Sequence, residues 1–101
     1  MGAPSGPRTL AVLGSTGALG QAALSKALAH PQRIRITALA AGSRVAVLAA
    51  QAEEVCRASG TLPTLAVAAE RDADALRERL RPFGDPEVLT GPTGLARLAA
   101  A

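Results

Sequence analysis

A chain of 101 residues with 49% apolar content has enough for one small hydrophobic core and no more. Its single cysteine, Cys56, excludes an internal disulfide framework, and no apolar run approaches the roughly 18 residues of a membrane span. The formal charge of +3 comes from arginines scattered along the chain, and Phe83 is the sole aromatic residue, so the basic stripe and stacking set of a nucleic-acid binder are missing.

Residues 1–7 (MGAPSGP) have neither the basic start nor the apolar core of a secretory signal. They read as a flexible tail, and residues 8–101 as one cytoplasmic domain with no membrane or nucleic-acid partner. The first element is a strand, because the apolar run Leu10, Ala11, Val12, Leu13 stops at Gly14. Gly14, Gly17 and Gly20 then follow at intervals of three, and the pattern predicts a helix from about Ala18 to Ala29 with Gly20, Leu24, Ala27 and Leu28 on one face. Strand, glycine-rich turn and helix in this order aim unpaired backbone N–H groups and the positive end of the helix dipole at one point, where a phosphate can sit. Gly14 is expected to turn the strand, Gly17 to let a pyrophosphate approach the backbone, and Gly20 to let helix and sheet pack closely; Ser15 and Thr16 add hydroxyl donors. The spacing is G-x-x-G-x-x-G rather than the common G-x-G-x-x-G, so the flanking strand and helix carry the reading more than the glycines do. The plainer alternative is that the glycines only shape a βα turn.

His30 closes the first helix without partners for a metal. A second strand (Ile34, Ile36, Ala38, Leu39) ends in Ala40-Ala41-Gly42-Ser43-Arg44, and no acidic residue occurs before Glu53. An NAD site usually places a carboxylate here for the ribose diol. Ser43 and Arg44 stand in its place, a hydroxyl and a planar cation suited to a phosphate, which selects NADP over NAD. Alternatively Ser43 merely caps the next helix and Arg44 is solvated. That helix is expected over about Arg44 to Ala58, with Val45, Leu48, Ala49, Ala52, Val55 and Cys56 on its apolar face and Cys56 buried and inert.

A third strand, Leu65 to Ala68, precedes a helix expected to be capped by Asp72, with Leu76, Leu80 and Phe83 on one face and Arg77, Arg79 and Arg81 on a solvated, ion-paired face. A short strand, Glu87 to Thr90, a turn at Gly91-Pro92-Thr93-Gly94 and a last helix running to Ala101 complete the order β-α-β-α-β-α-β-α. The alternation predicts an α/β, Rossmann-like parallel sheet with helices on both faces. It is expected to be incomplete: strands 2, 3 and 4 fall on one side of strand 1, so half of the dinucleotide crevice stays open. The eight acids are scattered, so the chain offers no metal site and no catalytic residue.

The segments LAVLGSTGALG (Leu10 to Gly20), HPQRIRITALAAGSRV (His30 to Val45), LAAQAEEV (Leu48 to Val55) and EVLTGPTGLARLAA (Glu87 to Ala100) resemble the N-terminal NADPH-binding domain of the 1-deoxy-D-xylulose 5-phosphate reductoisomerases. The resemblance implies cofactor contacts at Thr16, Gly17, Ala18 and Leu19 in the first turn and at Gly42, Ser43 and Arg44 after the second strand. Ala18 stands where that family often has serine, and Arg44 where it often has asparagine. The resemblance also implies a longer parent, expected to be a homodimer, that uses NADPH and a divalent metal (Mg or Mn) on a phosphosugar; its metal ligands and substrate site would lie beyond Ala101. Two other readings remain open at this point, an aspartate-semialdehyde dehydrogenase-like fragment and a non-catalytic NADP-binding regulatory module.

Overall fold

The computed structural model describes residues 8–42 and 44–100. The expected tail at residues 1–7 and the expected role of Ser43 lie outside them. Four parallel strands alternate with four α-helices: β1 Arg8–Leu13, α1 Ala18–Leu28, β2 Ile34–Ala40, α2 Val45–Ser59, β3 Thr64–Val67, α3 Glu70–Leu80, β4 Val88–Thr90 and α4 Gly91–Ala100. The strands lie side by side in chain order, β1-β2-β3-β4, so among the described residues β1 has a neighbour on one edge alone. This is the Rossmann-like α/β architecture expected, with strands 2 to 4 on one side of strand 1.

Adding every strand in the same direction through right-handed crossovers puts successive crossover helices on one face of the sheet. Accordingly Leu24 and Ala27 of α1, Leu48, Ala52 and Val55 of α2, and Ala73, Leu76 and Leu80 of α3 share one core with Val12, Ile36, Leu39, Leu65, Val67 and Val88 of the strands. The opposite face is built of small residues, Ala38, Ala40 and Ala66, with Leu89 beside them. Helix α4 lies on that side, against β4, β3 and β1. A Cβ added at Gly94 would come within 2.9 Å of Leu89 Cβ, so the glycine lets α4 settle close to the sheet.

One irregularity keeps the faces apolar. Leu10 pairs with Ile36 but Ala11 pairs with Ala38, leaving Thr37 as an extra residue in β2. Such a bulge reverses the in-out alternation. Ile36 before it and Leu39 after it therefore both face the main core. The Thr37 hydroxyl donates to the Leu10 carbonyl at 3.3 Å.

Four local expectations are corrected. Asp72 is not the cap of α3: the helix begins at Glu70 after extended Ala69 (φ −114°, ψ 144°), and Asp72 lies in the first turn with its N–H on the Ala69 carbonyl at 3.1 Å. An acid in the first turn faces the helix dipole whether or not it caps, so its position alone does not locate the start. Phe83 belongs to a 3₁₀ turn, Arg81–Phe83, because Pro82 has no N–H to continue the α-helical ladder; its ring lies 5.5 Å from the Arg57 guanidinium carbon. Gly91 to Gly94 form the first turn of α4 rather than a separate loop. Cys56 is partly exposed, at the margin of the α2 face.

Leu76 is fully buried at the centre of α3. Replacing it with alanine removes contacts that its packed surroundings cannot fully recover, so Leu76→Ala is expected to destabilise by about 2–5 kcal/mol. Urea unfolding that shows a lower midpoint with an unchanged slope would record this.

Candidate functional site

At the carboxyl end of the sheet, the β1–α1 turn and the β2–α2 turn stand next to each other. Gly14 takes φ +71°, a conformation that L side chains rarely adopt, and turns the chain out of β1. Ser15 is fully buried and its N–H donates to the Ala40 carbonyl at 2.9 Å, stitching the turn to the end of β2. The Gly17 N–H donates back to Gly14 at 3.1 Å, and Gly17 (φ −79°, ψ 170°) leads into α1 with no side-chain cap. The first helical N–H groups, those of Ala18, Leu19 and Gly20, have no acceptor within the helix, since its ladder begins with the Gln21 N–H on the Gly17 carbonyl at 2.8 Å. A Cβ built at Gly20 would collide with the Gly14 carbonyl oxygen and lie 2.7 Å from Ser15 Cα. The close packing expected of the third glycine is present.

Three side chains hold the carbonyls of this turn. Gln51 of α2 donates its Nε2 to the Ser15 carbonyl at 2.7 Å. Gln21 of α1 donates its Nε2 to the Thr16 carbonyl at 2.7 Å, and the Nη1 of Arg44 donates to the same oxygen at 3.0 Å. Arg44 is the one non-glycine residue at positive φ among the described residues (φ 63°). That conformation costs an L residue roughly 1–2 kcal/mol.

Of the residues singled out from the sequence, the structure joins Thr16 and Arg44 directly. Gly17, Ala18 and Leu19 lie exposed beside them, Leu19 at 88%, and Gly42 is exposed at the end of β2. Arg44 does precede a helix, but its side chain is tied to the first turn rather than merely solvated. Sequence reasoning missed Gln21 and Gln51. A signal for Gln51 existed: it lies three residues after Leu48 and four before Val55, a polar residue on the buried face of α2. Ser15 Oγ and Gln51 Oε1, both buried, have no hydrogen-bond partner among the described residues.

These groups suit a dinucleotide phosphate. The helix start is bare of a side-chain cap, the nearest atom to a Cβ added at Gly17 is Gly14 O at 3.5 Å, and a permanent cation stands where a carboxylate would repel a phosphate. Among the described residues no three His, Cys, Asp or Glu side chains are placed to hold a metal ion, and no helix is long and apolar enough to cross a membrane. A separate cleft of about 310 Å³ opens on the α4 side of the sheet, lined by Thr9, Ala11, Thr37, Ala38, Thr64, Glu87, Leu89 and Arg97, and includes none of the candidate residues.

Residues 10–101 match the family model of 1-deoxy-D-xylulose 5-phosphate reductoisomerase. The reductoisomerase of Streptomyces coelicolor is 44% identical over 105 aligned positions, which take in 98% of this chain and 24% of the relative. Among solved structures, the Zymomonas mobilis reductoisomerase in complex with NADPH superposes with a TM-score of 0.80 at 28% identity, covering 95% of this chain and 24% of that one. A DOX-P reductoisomerase in complex with magnesium gives 0.77 at 32% identity, covering 92% and 22%. The chain thus spans about a quarter of the length of the relatives it matches.

The contact at Gly20 leads to a direct expectation. Gly20→Ala forces a methyl group against the Gly14 carbonyl, so α1 must shift away from β1 at a cost of about 1–3 kcal/mol. A lower melting temperature and faster exchange of the hydrogen-bonded Ser15 and Gln21 amides are the measurements that check it.

Proposed function

This chain belongs to the 1-deoxy-D-xylulose 5-phosphate reductoisomerase family, and from that premise we propose that residues 8–101 are the NADPH-binding portion of such an enzyme. The observation that carries the cofactor reading is the Arg44 guanidinium held on the Thr16 carbonyl at 3.0 Å, which sets a cation beside the uncapped start of α1. Thr16, Ala18 and Leu19 would offer backbone N–H groups to the phosphates, and Gly17, whose own N–H is bonded to the Gly14 carbonyl, would let them approach the main chain. Gly42, Ser43 and Arg44 would receive the 2′-phosphate that distinguishes NADPH from NADH. The bound cofactor supplies a hydride. The NADPH complex of the Zymomonas mobilis relative supports this reading.

The same proposal extends to the intact enzyme. Further sequence would supply the catalytic part, the carboxylates for a divalent metal (Mg or Mn) and the phosphosugar site. The whole protein, a cytoplasmic homodimer, would rearrange and reduce 1-deoxy-D-xylulose 5-phosphate to 2-C-methyl-D-erythritol 4-phosphate at the expense of NADPH. Metal-dependent oxidation of NADPH with that substrate tests the activity.

For the cofactor, fluorescence titration of the intact protein should give tighter binding of NADPH than of NADH; equal affinities would overturn the reading. Arg44→Glu is expected to weaken NADPH by roughly ten- to a hundred-fold, the equivalent of one charge-assisted hydrogen bond, with a smaller effect on NADH. The 101 residues alone should behave differently. One edge of β1 is unpaired among the described residues and Leu13 is 52% exposed at its end, so self-association is expected in size-exclusion chromatography, together with weak NADPH binding. A monomer binding NADPH at about micromolar strength would mark the chain as a self-sufficient module.

A further inference from the structure

We propose that Gln51 is a positioning residue for the phosphate-binding turn, acting through the Ser15–Thr16 peptide; the inference rests on the dinucleotide reading above. Gln51 is 8% exposed, on the face of α2 that otherwise buries Leu48, Ala49, Ala52 and Val55. A leucine there would satisfy packing. A buried amide with an orphaned Oε1 costs the fold stability that a leucine would not, which turns attention to what its other end does. That other end, Nε2, reaches across 36 positions of sequence to the Ser15 carbonyl at 2.7 Å.

Peptide units are planar, and the described residues contain no cis bond, so the Ser15 C=O and the Thr16 N–H point in opposite directions. Drawing the carbonyl toward α2 turns the Thr16 N–H away from α2. The Ser15 N–H is fixed separately on the Ala40 carbonyl at 2.9 Å, so the Gln51 bond sets the one peptide plane between that anchor and Thr16. The next carbonyl, that of Thr16, is held by Gln21 and Arg44. Gln51 thus governs a donor that both dinucleotides would use, whereas Arg44 governs the group that tells them apart.

The test compares wild type, Gln51→Leu and Gln51→Glu in the intact protein, by calorimetric titration with NADPH and NADH at pH 8 and with acid-stable NADP⁺ between pH 6 and 9. Binding is referred to the folded fraction measured by thermal unfolding. Gln51→Leu should weaken NADPH and NADH by the same factor, about ten-fold. Gln51→Glu has no donor when ionised and regains one when protonated, and burial raises its carboxyl pKa. Its NADP⁺ affinity should therefore recover toward wild type as the pH falls to 6, while wild type shows no such recovery. Gln51→Glu also keeps the shape of the side chain should Gln51→Leu fail to fold. Unchanged dissociation constants in folded variants, with only their melting temperatures lowered, would overturn the positioning role and leave the NADPH reading intact. Failure of wild type to bind either dinucleotide would overturn both.

Discussion

Only hydrogen fits between the backbone of Gly20 and the carbonyl of Gly14, and the rest of the carboxyl end of the sheet is arranged around that contact. It seats the first turn of α1 directly on the end of β1, so the uncapped N–H groups stand at the edge of the sheet rather than a side chain's width away. The same approach presses Ser15 into the interior, within reach of α2, and brings the Thr16 carbonyl to where Gln21 and Arg44 can both donate to it. A bulkier residue at position 20 would separate all of these partners together.

The side chains that hold the turn all donate to its carbonyls, which leaves the N–H groups of Thr16, Ala18 and Leu19 without a backbone partner among the described residues. Three side-chain donors converge on two consecutive carbonyls, each bond contributing about 1 kcal/mol and the guanidinium bond somewhat more. That is of the same order as the roughly 1–2 kcal/mol that Arg44 costs in its left-handed conformation. Asparagine tolerates that backbone region better than arginine does. With arginine at position 44 the chain accepts backbone strain and gains a long, permanently charged side chain that spans the two turns.

The alternation of elements, the glycine turn and the absence of an acid after β2 were legible in the sequence because each rests on local pattern: apolar periodicity, spacing of glycines, a missing residue type. The strand order also follows, since consecutive strands of a parallel sheet usually lie side by side. What escaped was non-local. The bulge at Thr37 shows only in the pairing of β2 with β1. The Gln51 bond joins residues 36 positions apart. The start of α3 is not fixed by sequence because acids in a first turn signal a helix beginning without fixing which residue begins it. Composition suggests a turn at Gly91 to Gly94, whereas Gly94 serves close packing of α4 on Leu89.

The order β1-β2-β3-β4 has a kinetic side as well. Each strand pairs with the one immediately before it in the chain, so every sheet contact closes a loop of a single helix and its connections. Loop-closure entropy stays low and nearly equal from one addition to the next. A chain emerging from the ribosome amino end first can dock β2 on β1 before β3 has been synthesised, and extend the sheet one strand at a time. Helix α4 docks on its neighbours β4 and β3 across the other face and also reaches back to β1, and that last contact closes a loop around the whole sheet and carries the largest closure entropy.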